Sequence, residues 1–323
     1  MTKVVHVAAG VIRNASGEIL IAKRPDDTHQ GGLWEFPGGK LESGESARTA
    51  LIRELQEELG ITSTELSPLI QIRHNYPDKS VLLDVWNVTA FEGQAHGREG
   101  QPVKWVAPRE LDDYQFPAAN TPIVMAAQLP ERLLITGAED SLETFLNKLE
   151  SVLEQGFSLI QLRQKHWDHS QWQAALPQAM ALCRDAGARL LLNTPPQDIL
   201  EQYLDDPVCA LGIHLTSHQL GQMDASLLNA LKDRDICVSA SCHSSEELLN
   251  AEELGVDFVT LSPVEATSTH PDQAPMGWDE FETLVQGAKL PVFALGGLTG
   301  EHLKNSRNRG AQGVAAISAW WSQ

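Results

Sequence analysis

Hydrophobic and polar residues follow two different periods in residues 1–130. VVHVAAGVI and EILIAKR are short apolar runs with strand-like alternation, and the turn-rich segment RNASG between them predicts a hairpin connection. SARTALIRELQEELG has helical spacing instead, with Gly60 placed to end the helix. The predicted apolar stripe of this helix comprises Ala47, Ala50, Leu51, Leu55 and Leu59. Further strands are predicted in SVLLDVWNVTAFEG and PVKWVAP, and a helix near TPIVMAAQ.

A regular alternation of short apolar runs with helical segments begins at Arg132. The predicted strands are RLLITG, SLIQLRQ, RLLLNT, ALGIHL, DICVSAS, DFVTLS, PVFALGG and GVAAISA. Segments such as SLETFLNKLESVLEQG lie between them, and eight strands joined by helical crossovers indicate a (β/α)8 TIM barrel. We therefore expect an α/β protein with two domains, residues 1–130 and residues 131–323, that meet in AAQLPER.

The net charge of −19 is uneven, since residues 1–130 carry −5 and residues 131–323 carry −14. Such charge repels polyanions and disfavours a nucleic acid strand as partner, whereas a small anion stays compatible if metal ions screen it. No apolar run reaches the roughly 18 residues of a membrane span. The four cysteines show no zinc-ligand spacing, so we expect free thiols and a cytoplasmic protein. The oligomeric state is left open.

The segment RELQEEL places like charges where a helix disfavours them. Glu54 and Glu57 lie three residues apart and Glu54 and Glu58 four apart, so the three carboxylates share one helical face. Like-charged pairs at these spacings destabilise a helix by roughly 0.2–0.5 kcal/mol each. Carboxylate oxygens are the hard ligands that Mg²⁺ and Mn²⁺ prefer, so a divalent cation site would explain the repulsion. The alternative is an acidic helix face exposed to solvent.

A longer pattern surrounds these glutamates. FPGGKLESGESARTALIRELQEELGI fits G-x5-E-x7-R-E-U-x-E-E-x-G-U, where U is a bulky apolar residue, and on this motif residues 1 to about 130 resemble the Nudix hydrolases. The resemblance implies an α/β/α sandwich with a mixed sheet, in which Mg²⁺ (or Mn²⁺) activates a water that attacks phosphorus. Glu45 and Arg53 are expected to brace the loop against the helix. The implied metal ligands are Glu54, Glu57, Glu58 and the Gly38 carbonyl.

Outside this motif the first domain resembles the MutT-type 8-oxo-dGTP diphosphatases. The similar segments are VIRNASGEILIAKRPDDTH, LWEFPGGK, GREGQPVKW and QFPAANTP. The resemblance implies a small nucleotide substrate and makes Glu99 a further metal ligand and a candidate catalytic base beside Glu54, Glu57 and Glu58. The implied substrate contacts are Arg24, His29, Glu35, Phe36, Pro37, Gly38, Lys79 and Asn120. Lys79 stands where these enzymes carry arginine, and HQGGLWEF is shared with related nucleotide hydrolases.

The chemistry of oxidised guanine supports a role for Asn120. Oxidation converts a ring nitrogen of guanine from an acceptor into an N–H donor, so one amide can donate to the keto oxygen and accept from that N–H. A site built on such a hydrogen bond discriminates better than shape alone. Asn120 before Thr-Pro also fits a turn or a helix N-cap. The open alternatives are another nucleotide substrate and a base-reading domain without catalysis, against which the intact glutamates argue.

The second domain resembles thiamine phosphate synthase and its TenI-like relatives over about 190 residues. In LIQLRQK, the residues Gln161, Arg163 and Lys165 alternate onto one side, which suits a pyrophosphate. ALGGL and GVAAIS match the family's phosphate-binding loops. The residues that the resemblance implies for a phosphate site are Gln161, Arg163, Lys165, Gly296, Gly297, Ile317 and Ser318, with Ser241, Thr267 and Thr269 as further matches.

Departures from the synthase pattern are as informative as the matches. Thr194 and Gln219 stand where the synthases carry the two aspartates linked to Mg²⁺, and His270 replaces a lysine. Pro263 occupies the place of the TenI-type histidine. Without these carboxylates we expect no active synthase but a barrel that binds an unknown phosphate ligand or is purely structural. A bifunctional enzyme that also forms thiamine phosphate is the alternative. His214 and His243 are interpreted as packing residues.

Overall fold

The computed structural model describes residues 4–27, 30–76, 80–204, 211–267 and 274–321, apart from the side chains of Leu200, Tyr203 and Leu204. The chain divides into two compact units, Met1–Leu129 and Pro130–Gln323. Several residues singled out from the sequence lie outside the described ranges, namely His29, Lys79, Cys209, Thr269 and His270.

In its described residues, the first unit contains two small sheets and two α-helices. The strands are β1 (Val4–Ile12), β2 (Ile19–Lys23), β3 (Trp34–Glu35), β4 (Gly38–Lys40), β5 (Thr62–Asn75), β6 (Ser80–Glu92) and β7 (Val103–Val106); the helices are α1 (Ala47–Leu59) and α2 (Thr121–Gln128). One sheet has the order β4-β1-β6-β5, with β1 and β6 parallel and the other pairs antiparallel, and the second has the order β3-β2-β7. The expected mixed sheet is therefore present.

Strand β1 separates two cores by the alternation of its side chains. Ala8 and Ile12 pack with the buried face of α1, whereas Ala9 and Val11 pack with α2 on the other side. This arrangement gives the α/β/α layering. The predicted hairpin between β1 and β2 is wrong in part: the turn forms, but only one bridge, Arg13 to Ile19, joins the two strands. Beyond that bridge β1 pairs with β4 and β6, while β2 joins the other sheet.

Helix α1 has a defined start and end. The Ser46 hydroxyl accepts a hydrogen bond from the Thr49 amide at the N-cap. Gly60 adopts a left-handed conformation (φ 70°) at the C-cap, as the sequence predicts, and its amide donates to the Gln56 carbonyl. The caps fix the length of the helix and hence the positions of its glutamates.

The second unit is a closed barrel of eight parallel strands, as expected, in the order β10-β11-β12-β13-β14-β15-β8-β9. The strands are β8 (Arg132–Ile135), β9 (Leu159–Arg163), β10 (Arg189–Asn193), β11 (Leu211–Leu215), β12 (Cys237–Cys242), β13 (Phe258–Leu261), β14 (Val292–Leu295) and β15 (Gly313–Ala316). The helices are α3 (Leu142–Glu154), α4 (His169–Asp185), α5 (Gln197–Leu204), α6 (Ser217–Leu220), α7 (Ala225–Lys232), α8 (Ser245–Leu254), α9 (Gly277–Gly287), α10 (Leu303–Asn308) and α11 (Ser318–Trp321).

The cysteines that the structure describes are free and buried in the barrel unit. Burial raises the pKa of Cys183, Cys237 and Cys242 to about 12, so these thiols are neutral packing groups. Within the described ranges, no helix combines the length and apolar character that crossing a bilayer would require.

Candidate active site and barrel cavity

The two glycines of β4 let the backbone approach both β1 and helix α1. A Cβ atom on Gly39 would lie 2.2 Å from the carboxyl carbon of Glu54, and one on Gly38 would lie 2.1 Å from the Ala8 carbonyl oxygen. Gly38 also has a φ of +148°, which side-chain-bearing residues rarely adopt. The pair is therefore required by close packing, which places the carboxylate of Glu54 directly against β4.

Glu58 lies in a concentration of negative charge. Burial, followed by the carboxylates of Glu54, Glu35 and Glu99, raises the pKa of Glu58 to about 8, although a hydrogen bond from the Gly38 backbone acts in the opposite direction. The structure thus brings Glu54, Glu58 and Glu99 together as expected, and adds Glu35, which the sequence analysis treats as a nucleotide contact. We call these four residues the acidic cluster.

Arg53 connects helix α1 to the segment that precedes it. Its guanidinium lies 2.9 Å from Glu45, 2.8 Å from Glu54 and 3.3 Å from Glu57, and it donates to the Lys40 carbonyl. Arg53 and Glu45 therefore do brace the loop against the helix. The Glu57 side chain is 58 % exposed and contacts Arg53, as Glu54 does, so Glu57 would have to turn away from Arg53 to act as a metal ligand.

The donor set of the acidic cluster fits a divalent cation. Hard carboxylate oxygens surround Glu58, and their mutual repulsion is what a cation would relieve. In the described part of the chain, no three carboxylate, imidazole or thiol groups are already gathered at coordination distance. Binding a cation here therefore requires side-chain rotations, for example of Glu54 away from Arg53.

The loop that carries Glu99 docks on the C-terminal end of α1. The amides of His96 and Arg98 donate to the carbonyls of Leu59 and Glu58, respectively. The side-chain amide of Gln101 also donates to the Glu58 carbonyl. These bonds satisfy carbonyls that the helix itself leaves without partners. They hold the exposed Glu99 beside the Glu58 carboxylate.

The expected nucleotide contacts differ in accessibility. Arg24 forms an ion pair with Glu35, and burial raises the pKa of Glu35 despite this partner. Phe36 is buried and stacks on Phe116 with ring centroids 5.4 Å apart. Pro37 is also buried, and its carbonyl accepts from the Gly10 amide. Arg24 thus borders the acidic cluster through its ion pair with Glu35, while Phe36 and Pro37 are buried directly after Glu35.

Asn120 lies at the end of a 3₁₀ turn (Ala118–Asn120), directly before α2. Its backbone is already helical, and its side chain makes no capping hydrogen bond. Asn120 therefore occupies the turn and N-cap position that the sequence allows, but its side chain does not cap the helix. With the side chain half-buried and without a hydrogen-bond partner among the described residues, both ends of its amide remain available to a ligand.

A cavity of about 680 Å³ opens at the carboxyl ends of the barrel strands. The seven residues of the expected phosphate site all line it: Gln161, Arg163, Lys165, Gly296, Gly297, Ile317 and Ser318. Gly297 has a φ of +69°, and a Cβ there would lie 2.5 Å from the Ala266 carbonyl oxygen, so the loop needs glycine. His214 and His243, interpreted from the sequence as packing residues, line the cavity as well.

His214 is buried and connects two serines of β12. Its Nδ1 lies 2.9 Å from the Ser239 hydroxyl, and its Nε2 lies 2.9 Å from the Ser241 hydroxyl. Because Ser239 donates to the Ile213 carbonyl, it accepts from His214, which makes Nδ1 the protonated nitrogen and Nε2 the acceptor for Ser241. Burial and then the charge of Arg163 lower the pKa of His214 to about 3, so the ring is neutral.

Comparison with known proteins agrees with this division of the chain. Residues 8–126 match the family model described as NUDIX domain, and residues 133–320 match the one described as thiamine monophosphate synthase. The first unit is 42 % identical over 122 residues to the 8-oxo-dGTP diphosphatase of Escherichia coli K12, covering 38 % of this chain and 95 % of that protein.

Two further relatives bear on substrate and on the barrel. The CTP pyrophosphohydrolase of E. coli K12 is 39 % identical over 124 residues, which cover 38 % of this chain and 91 % of that protein. A putative thiamine-phosphate synthase of Aquifex aeolicus is 32 % identical over 191 residues, which cover 59 % of this chain and 97 % of that protein. The chain therefore belongs to the Nudix family through its first unit, a hydrolase of phosphorus-containing anhydrides, and to the thiamine monophosphate synthase/TenI family through its second.

Proposed function

We propose that the first unit is a Mg²⁺-dependent nucleoside triphosphate diphosphatase that hydrolyses 8-oxo-dGTP to 8-oxo-dGMP and pyrophosphate. The observation that carries this proposal is the acidic cluster, in which the Glu58 carboxylate on α1 is surrounded by Glu35, Glu54 and Glu99 beside the glycine pair of β4. Similarity to the E. coli 8-oxo-dGTP diphosphatase over nearly the whole of that enzyme supports the choice of substrate.

The residues at this site have different roles in the proposed reaction. Glu54, Glu57, Glu58, Glu99 and the Gly38 carbonyl would hold the cation, whose chemistry is to neutralise the phosphates and to acidify a bound water. A carboxylate of the cluster accepts the proton as the water oxygen bonds to the β-phosphorus, and the bond from that phosphorus to the bridging oxygen breaks. The bridging oxygen leaves on the nucleoside monophosphate. Arg53 keeps α1 and the preceding loop fixed relative to each other.

Asn120 provides the base discrimination in this proposal. Its amide has no partner among the described residues, so it can donate to the keto oxygen and accept from the N–H that only the oxidised base presents. Ordinary guanine would place a lone pair against the Asn120 carbonyl. Removing 8-oxo-dGTP from the nucleotide pool would keep the oxidised base out of DNA and so prevent mutation.

A second candidate substrate is a pyrimidine nucleotide. The similarity to a CTP pyrophosphohydrolase is nearly as high as that to the 8-oxo-dGTP diphosphatase, and the reaction class is the same. The two candidates differ in what Asn120 does, because only an oxidised purine uses the donor and the acceptor of the amide together.

Pyrophosphate release from 8-oxo-dGTP, dGTP, dCTP and CTP at matched concentrations tests the proposal. We expect kcat/KM to favour 8-oxo-dGTP over dGTP, and Asn120→Ala to reduce that ratio about 10- to 100-fold, since one hydrogen bond and one unsatisfied group are at stake. Asn229→Ala, the same change on an exposed position of α7, is the matched control and should leave the ratio unchanged. A preference for CTP, or an unaltered ratio in Asn120→Ala, would replace this substrate assignment with the second.

A further inference from the structure

The cavity of the barrel unit has positive charge that no described acidic residue balances. Arg163 and Lys165 line it, and neither forms an ion pair with another residue of the described chain. Burial lowers the pKa of Arg163, and the charge of Arg163 lowers that of Lys165. No aspartate or glutamate is found among the described residues that line the cavity. Two uncompensated cations at one end of a cavity favour an anionic ligand.

The two positions that bear metal-linked aspartates in the synthases do not supply an equivalent here. Thr194 lines the cavity with a hydroxyl group in place of a carboxylate. Gln219 turns away from the cavity, since its side-chain oxygen accepts from the Thr216 amide to cap α6. The residues present therefore do not fit a Mg²⁺ ion, which requires hard anionic oxygens.

The backbone at Thr194 shows that the substitution comes at a conformational cost. Thr194 has a φ of +55°, in the left-handed region where aspartate and asparagine are enriched and a β-branched residue is a genuine outlier. A threonine held in this conformation costs on the order of 1–3 kcal/mol, and such strain concentrates at ligand sites. The loop thus keeps a conformation suited to aspartate while the carboxylate is absent.

Two acceptors are available to the uncharged part of a ligand. The side-chain oxygen of Gln161 is buried, has no hydrogen-bond partner, and belongs to a residue that lines the cavity and is only 3 % exposed. Ser241 donates its proton to the neutral His214, which leaves the lone pairs of its oxygen free to accept. Since a buried acceptor without a partner costs about 1–3 kcal/mol, a ligand that donates a hydrogen bond to Gln161 would recover that energy.

We propose that this cavity binds a small organic phosphate ester without a metal ion, with the phosphate at Arg163 and Lys165 and a hydrogen-bond donor of the ligand at Gln161. The barrel is then a metal-independent phosphate-ester receptor and has lost the metal-dependent condensation chemistry of its family. This inference is independent of the substrate assigned to the first unit.

Calorimetric titration of the full chain with thiamine monophosphate and with inorganic phosphate, in EDTA and then in Mg²⁺, tests the proposal. We expect thiamine monophosphate to bind in EDTA, more tightly than inorganic phosphate, with a Kd that Mg²⁺ changes less than about twofold. Lys165→Met should weaken binding about tenfold, because a charged hydrogen bond is lost. Lys289→Met is the matched control: Lys289 is exposed and precedes β14, at the opposite end of the barrel. Glu58→Gln should leave the Kd unchanged, which separates this site from the first unit.

A gain-of-function variant sharpens the test. Thr194→Asp places a carboxylate in a backbone conformation that aspartate tolerates, so binding should weaken in EDTA and recover in Mg²⁺. Three results would overturn the proposal: no binding of either probe, binding in the unmodified chain that requires Mg²⁺, or equal losses in Lys165→Met and Lys289→Met. Formation of thiamine monophosphate from a pyrimidine pyrophosphate and a thiazole phosphate would overturn it too.

Discussion

The acidic cluster and the barrel cavity are two sites suited to phosphates, with opposite charge. In the first unit, Glu58 lies among three other carboxylates. In the second, Arg163 and Lys165 lie in a cavity without a described acidic residue. A site for a metal–phosphate complex must be negative before the metal arrives, whereas a site for a bare phosphate must be positive. Charge at the site therefore tells which of the two a phosphate-binding scaffold uses.

Both sites keep their charge at a cost. The carboxylates of the first unit oppose the ionisation of Glu58, and Arg163 opposes the protonation of Lys165 and His214. Repulsion of this kind is destabilising in a free protein and becomes favourable only when a ligand of opposite charge binds. The comparison predicts that neutralising a charged residue at either site stabilises the free protein but weakens ligand binding.

The largest expected effect comes from removing the charge of the acidic cluster. Glu54→Gln and Glu58→Gln should each lower kcat by about 10²- to 10⁴-fold, because a metal ligand or the catalytic base is lost. Glu92→Gln is the matched control, since Glu92 is exposed at the end of β6 and does not belong to the cluster, and it should cost less than about tenfold. Steady-state pyrophosphate release measures all three. Near-normal turnover in Glu58→Gln would contradict the assigned site.

A smaller effect concerns the stability of the first unit. Mg²⁺ should raise its thermal midpoint by several degrees more than NaCl of equal ionic strength, because a ligand at about 100 times its Kd contributes about 2.7 kcal/mol. Differential scanning calorimetry of the full chain, with and without Glu58→Gln, identifies the transition that responds. The variant should lose the Mg²⁺-specific shift. An equal response to both salts would mean that only screening is at work.

The barrel strands and the end of helix α1 could be predicted from the sequence. All eight barrel strands follow from short apolar runs, and the C-terminal end of α1 follows from Gly60, because these signals are local. The hairpin prediction at RNASG was wrong in part because local turn chemistry does not decide which sheet β2 joins. Strand pairing depends on partners far along the chain.

Contacts between distant segments also limited the prediction of the sites. The helical spacing places Glu57 with Glu54 and Glu58, but in the folded protein its side chain is 58 % exposed and contacts Arg53. Glu35 is distant from α1 in the sequence and comes close to Glu58 only in the folded protein. The position of Glu99 depends on the hydrogen bonds that join its loop to the end of α1. His214 lies in a strand buried on both faces, so alternation along ALGIHL could not tell a cavity residue from a packing residue.

The smallest effect, the pH dependence of the barrel unit, tests the positive half of the comparison. The folded barrel holds the pKa of His214 at about 3, below its ordinary value of 6.5, so the unfolded chain binds the extra proton first. The stability contributed by the neutral ring is thus complete above pH 6.5 and is lost as the pH falls toward 3. Between pH 7 and pH 5 the loss amounts to about 2 kcal/mol.

Urea unfolding of the barrel unit at pH 7 and pH 5 measures this loss. His214→Gln should show a smaller difference between the two pH values, whatever its absolute stability, while the exposed His218→Gln should behave like the unmodified chain. Arg163→Gln should reduce the difference in part, because its charge is the second cause of the low pKa, after burial. Equal differences in all four proteins would mean that His214 accepts a proton in the folded barrel. The cavity would then tolerate an added positive charge, and it would not oppose the protonation of His214 in the way that the acidic cluster opposes the ionisation of Glu58.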